Sequence, residues 1–111
     1  MTLKVEVEGD VAVIKISGEI TSSESNDLQA VITGVVDDEI YFIVFDLENL
    51  SYISSLGIGV LARTCGELKK NNGKMAVFNP TDEVHKLLKL LRLDRIIPIA
   101  SSRGEAIELC S

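Results

Sequence analysis

With 111 residues, 46% of them apolar and 25% charged, the chain has the size and composition of one domain around one core, with no room for a second of similar size. Its formal net charge of −6 argues against a nucleic-acid binder, which needs clustered Lys and Arg, and against docking on anionic membranes. The acidic, alternating start MTLKVEVEGD is no signal peptide, and the uncharged stretch 49–62 is too short and too polar to span a bilayer.

Leu3, Val5 and Val7 alternate with Lys4, Glu6 and Glu8, the pattern of a half-buried strand. Gly9-Asp10 reads as a tight turn and Val11 to Ile16 as a second strand, so the chain opens with a hairpin. Ser22 or Ser23 can cap a helix whose apolar face is Leu28, Val31, Ile32 and Val35. The unbroken run Ile40 to Phe45 suits a central strand covered on both faces, and it ends in Asp46. After the stretch SYISSLGIGVL (residues 51–61) comes a helix with Ile58, Leu61, Ala62, Cys65 and Leu68 on one side, stopped by Asn71-Asn72-Gly73.

Lys74 to Phe78 is the next strand. Asn79-Pro80 reads as an N-cap followed by proline at the first helical position, with Val84, Leu87, Leu88 and Leu91 facing the core. Ile96 to Ile99 is a last short strand, set at an edge by Pro98, and Ser101 to Cys110 a short helix turning Ala106, Ile107 and Cys110 inward. The predicted order is β-β-α-β-α-β-α-β-α. Such alternation implies an α/β fold, a mixed and mostly parallel sheet with helices packed on it. Cys65 and Cys110 form no CxxC pair and are expected as reduced, structural thiols of a cytoplasmic protein.

The paired serines of the 51–61 stretch admit four readings. Gly57, Gly59 and Ala62 fit G-x-G-x-x-A, but the strand after them ends at Phe78-Asn79 without the acid a ribose needs, so a dinucleotide site is disfavoured. Catalysis by Ser54 or Ser55 needs a base, and the only histidine, His85, reads as an exposed residue of a later helix; there is no G-x-S-x-G elbow and no metal-ligand spacing. A phosphoacceptor at Asp46 would need an acidic pair after the first strand and a lysine after the last, and those places hold Gly9-Asp10 and Ala100-Ser101. Asp46 is expected instead to bond loop amides and support the neighbouring site.

The fourth reading is a regulatory phosphoserine. Ser55 falls where a helix start leaves N–H groups unsatisfied, so it is a natural N-cap. A phosphate there would meet those donors and the positive end of the helix dipole, and would add about 1.5 to 2 negative charges facing any partner. Gly57 and Gly59 are expected to let a partner approach the backbone. Capping and switching are compatible.

These residues carry a resemblance. The hairpin, GEIT (18–21), IVFDLENLSYISSLGIGVL (43–61) and GKMAVFNP (73–80) together resemble the anti-sigma-factor antagonists, which are STAS domains, over nearly the whole chain. The likeness implies a single STAS domain over residues 1–111. The family's motif, approximately Asp-Ser-Ser/Thr-Gly-Leu-Gly, is matched by Ser54 to Gly59, which sets Ser55 on the phosphorylated serine. Ser54 and Thr21 stand where the family carries aspartates, and Ser54 becomes a competing acceptor.

The resemblance implies a binding module that is not an enzyme and has no cofactor. Its unphosphorylated form binds an anti-sigma factor with serine kinase activity and frees the sigma factor; phosphorylation of Ser55 releases it, and a serine phosphatase resets it. The expected contact surface is Thr21, Ser22, Ser23 and Ser54 to Gly59, including Leu56 and Ile58. A constitutive STAS scaffold, or a STAS domain holding a nucleotide or lipid, are the other readings.

Overall fold

The computed structural model describes residues 1–110. The alternating start forms strand β1 (Thr2–Glu8), and Gly9, at φ +61°, makes the turn into β2 (Val11–Ile20). The two pair antiparallel, from Thr2 opposite Ser17 to Glu8 opposite Val11. Helix α1 (Ser25–Asp37) crosses to β3 (Phe42–Asp46), which pairs parallel with β2. Next come β4 (Leu50–Ile53), α2 (Ser55–Lys70), β5 (Lys74–Phe78), α3 (Asp82–Leu90), a single 3₁₀ turn at Leu93–Arg95, β6 (Ile99–Ala100) and α4 (Arg103–Cys110). The main sheet runs β1-β2-β3-β5-β6, parallel beyond the opening hairpin.

The sheet is covered on both faces. Ile14, Ile16, Ile43, Phe45 and Val77 pack against Leu28 and Ile32 of α1, Leu61, Cys65 and Leu68 of α2, and Val84 and Leu88 of α3. On the other face Val13, Val44 and Phe78 pack against Ala106 and Cys110 of α4. β3 contributes to both layers, which is why its sequence is apolar without alternation. Both cysteines are free and buried.

Strand β4 is the element the sequence does not announce. It is 4 residues long, with Ser51 and Tyr52 outward and Leu50 and Ile53 inward. It pairs parallel with the far end of β2, Gly18 to Ile20, across an irregularity at Gly18/Glu19. Two helix starts also differ from the sequence reading. Neither Ser22 nor Ser23 caps α1: the cap position is Glu24, without a side-chain cap, and Ser25 Oγ donates back to Ser22 O at 2.6 Å. Helix α3 is capped by Thr81, two residues past Asn79, with Val84 N–H reaching Thr81 Oγ1 at 3.5 Å. Thr81 wins because its hydroxyl also donates to Leu50 O at 3.0 Å, tying α3 to β4. Leu91 lies just past α3 and is 49% exposed, so it does not join the core face expected for it.

The end of α2 follows the sequence. Gly73 N–H bonds Leu68 O at 2.7 Å and Asn72 N–H bonds Lys69 O at 3.1 Å, with Asn72 at φ +61°. This is the paired-bond stop that Asn-Gly suits. Gly73 is also required sterically, since a Cβ there would run into the Tyr41 carbonyl. The last strand is β6 at Ile99–Ala100 and not the predicted Ile96 to Ile99, because Pro98 keeps the residues before it out of the ladder; it lies at the sheet edge, as expected.

Candidate functional site

The parallel strands β2 and β4 end side by side. Ser54 N–H donates to Ile20 O at 2.8 Å, which sets the turn at Thr21–Ser23 beside the start of α2. Ser54 is extended (φ −73°, ψ 166°), and its Oγ accepts from Gly57 N–H at 3.1 Å. Ser54 is therefore the N-cap, one residue earlier than the sequence reading placed it. It is 5% exposed, with its hydroxyl occupied by the helix it caps.

Ser55 is the first residue of α2 and is exposed. Among the described residues nothing accepts from the N–H groups of Ser55 and Leu56, the two donors the cap leaves over. Leu56 is 56% exposed, large and apolar beside an exposed hydroxyl. Ile58 points the other way and is buried.

The two glycines serve different ends. A Cβ on Gly57 would lie 2.8 Å from Ile53 Cγ1 and 2.9 Å from Ile20 Cγ2. What approaches the Gly57 backbone is the core below it, contrary to the expectation that a partner would. Gly59 has open space, with only the Arg63 guanidinium at 3.9 Å from a built Cβ. The surface that the motif offers is thus Ser55, Leu56 and Gly59, while Ser54, Gly57 and Ile58 hold it from beneath.

Thr21 Oγ1 donates to Glu24 Oε1 at 3.0 Å, and Thr21 N–H reaches the same oxygen at 3.4 Å. Glu24 Oε2 lies 2.9 Å from the Met1 ammonium. The ammonium first, and Thr21 second, hold the Glu24 carboxyl below its usual range. Glu24 thus puts a carboxylate into the turn that Thr21 opens. Sequence reasoning missed it, although Thr21-x-x-Glu24 carries the spacing of a capping box. Ser22 and Ser23 are exposed in the same turn.

Asp46, buried at the end of β3, accepts from Glu48 N–H at 3.1 Å and shapes the loop into β4. Beside Tyr52 and Ile53, a groove is lined by Glu83, Val84 and Leu87 of α3. Among the described residues no hydrogen bond joins His85 to Ser54 or Ser55, no group of three His, Cys, Asp or Glu could hold a metal, and no helix is long and apolar enough to cross a membrane.

The model of the STAS domain family matches residues 2–106. The chain belongs to the STAS domain family. A curated relative, the anti-sigma F factor antagonist of Paenibacillus polymyxa, is 28% identical over 110 residues, covering 96% of this chain and 94% of its own. The crystal structure of an anti-sigma factor antagonist from Mycobacterium paratuberculosis superposes with a TM-score of 0.89 at 28% identity, over 98% of this STAS domain and 92% of that chain. The Bacillus cell fate determinant SpoIIAA in its phosphorylated form shares the fold, with a TM-score of 0.77 at 24% identity over 96% of this chain and 97% of that one.

Proposed function

We propose that this STAS domain is an anti-sigma-factor antagonist working as a phosphorylation-switched binding module, not as an enzyme. The observation that carries the reading is the exposed Ser55 hydroxyl at the first position of α2, beside free backbone N–H groups and the exposed Leu56. Curated relatives named anti-sigma factor antagonists, matched along nearly their full length, support the class of partner.

Unphosphorylated, the protein binds an anti-sigma factor that is also a serine kinase, through Ser55, Leu56, Gly59 and the turn at Thr21–Ser23, and the sigma factor is freed. The kinase transfers the γ-phosphoryl group of ATP to Ser55 Oγ; the hydroxyl proton leaves to a base on the kinase, and ADP departs. The phosphate brings about 1.5 to 2 negative charges into a surface that has just been desolvated. It gains local donors from the helix start, so the fold tolerates it, while the partner meets repulsion. A serine phosphatase hydrolyses the ester and restores binding. All of this belongs to the cytoplasm.

The buried, occupied hydroxyl of Ser54 supports reading Ser55, not Ser54, as the acceptor. Binding of an anti-sigma serine kinase to Ser55→Asp and Ser55→Ala tests the switch. Ser55→Asp should lose binding, and Ser55→Ala should bind and stay bound when ATP is added. Binding by Ser55→Asp equal to the unmodified protein would remove the switch and favour a constitutive scaffold, the reading suggested by Ser54 and Thr21 at the family's aspartate positions.

A further inference from the structure

Strand β1 forms one edge of the sheet and stays open along its length. Val5 is 41% and Val7 59% exposed, on the face that Leu3 shares with the main core. On the other face stand Lys4, Glu6 and Glu8. Lys4 lies directly opposite Lys15 of β2, a like-charge pair with no carboxylate across from it. An open edge with exposed valines invites another strand, and its charges restrict which strand fits.

We infer that β1 pairs with β1 of a second copy about a two-fold axis through Val5, joining two sheets into one. An antiparallel pair related by such an axis must be centred on a residue, so that side chains opposite one another share a face. Centred on Val5, all 7 residues of the strand overlap: Thr2 meets Glu8, Leu3 meets Val7, Lys4 meets Glu6, and Val5 meets itself. Both unlike-charge contacts form at once, and Lys4 gains the carboxylate it lacks within its own chain. Leu3, Val5 and Val7 of the two copies make one apolar row on the opposite face.

Neighbouring registers fail. Centring on Lys4 sets lysine against lysine, centring on Glu6 sets glutamate against glutamate, and each shortens the overlap. Centring on Val7 sets Glu6 against Glu8, and centring on Leu3 opposes no like charges but leaves most of the strand unpaired, so charge and overlap together favour the Val5 register. Glu6 also meets Arg103 of α4 at 3.0 Å, an exposed pair that leaves its carboxylate open to a further cation. One strand-to-strand seam is smaller than the ~1,200 Å² of a lasting interface, so the dimer is weak and reversible.

Sedimentation equilibrium at loadings from about 10 μM to about 1 mM brackets the affinity of an interface this small. The expected result is a reversible monomer–dimer equilibrium. Glu6→Lys should weaken it about tenfold by setting lysines against each other at two places. Lys4→Glu should weaken it likewise by setting carboxylates against each other. The double variant Lys4→Glu/Glu6→Lys, which swaps the charges and restores both contacts, should return to within about threefold of the original. Circular dichroism checks that each variant folds, as expected since Glu6→Lys gives up only the exposed Arg103 pair, worth little to stability, and leaves the β2 pairing untouched. A monomer at every loading would overturn the inference. So would a dimer indifferent to both single variants, or a folded double variant that fails to recover.

Discussion

The Ser54 hydroxyl accepts the Gly57 N–H at 3.1 Å, and a Cβ on Gly57 would collide with Ile20 and Ile53 beneath. Cap and glycine together clamp the first turn of α2 onto the ends of β2 and β4. The neighbouring Ser55 is left with no structural duty. Two adjacent serines are thereby divided into one that caps the helix and one that stays exposed.

Replacing each serine by alanine separates these duties. Ser54→Ala should lower stability by about 1 kcal/mol, the usual loss when a helix loses its N-cap. At this chain length that corresponds to a melting temperature roughly 4 °C lower. Ser55→Ala should melt within about 1 °C of the unmodified protein, because surface changes away from caps and cores stay within about 0.5 kcal/mol. Equal melting of the two variants would refute the assignment of the cap.

The glycines should respond with opposite signs. Gly57→Ala pushes a methyl into stiff, β-branched Ile20 and Ile53, and should destabilise by about 1–3 kcal/mol as overpacking does. Gly59→Ala adds a methyl in open space inside a helix, and should stabilise by up to about 1 kcal/mol. Urea titration of both variants measures this. A neutral Gly57→Ala would mean that the turn is not packed as described.

Leu56→Ala tests whether the exposed leucine is a contact. Thermal stability should change by less than about 0.5 kcal/mol, since the side chain is 56% exposed. Affinity for the anti-sigma kinase should fall about tenfold, the loss common when an apolar anchor of an interface is truncated. Unchanged affinity measured by calorimetry would move the contact surface elsewhere.

Cys110 reports the integrity of the α4 layer. Its thiol lies 3.7 Å from Ile43 O, placed to donate, and burial pushes its pKa up from an ordinary 9.0 to about 11. The folded state therefore holds a proton that the unfolded chain releases earlier. The resulting stability is fully present below about pH 9 and is lost as pH rises through about 11. Urea midpoints should be flat in this respect to pH 8 and fall above pH 9. Cys110→Ala should lessen that fall, and an equal fall in both proteins would contradict the assignment.

Much of the fold is legible because its periodicities are long. β3 reads as a central strand from its unbroken apolar run, and the alternation of β1 with the Gly9-Asp10 turn gives the hairpin. β4 escapes because its 4 residues run in-out-out-in, with no two-residue alternation to read, and its partner on β2 lies more than thirty residues upstream. The helix starts were misread wherever several polar residues stood in a row. Ser54 and Ser55 are equally good caps as residue types; which one caps is decided by the Ile20–Ser54 backbone bond, a contact distant in sequence. The same holds for Thr81, selected over Asn79 by the carbonyl of Leu50. The outward turn of Leu56 follows from that one-residue shift.

The most direct measurement is phosphosite mapping. The purified protein is incubated with ATP and an anti-sigma serine kinase active on a family antagonist, and the peptide spanning residues 51–61 is sequenced by mass spectrometry. The switch predicts a single phosphate, on Ser55, and none on the buried cap Ser54. Phosphate on Ser54, or no phosphate under conditions in which the control antagonist is fully modified, would contradict it.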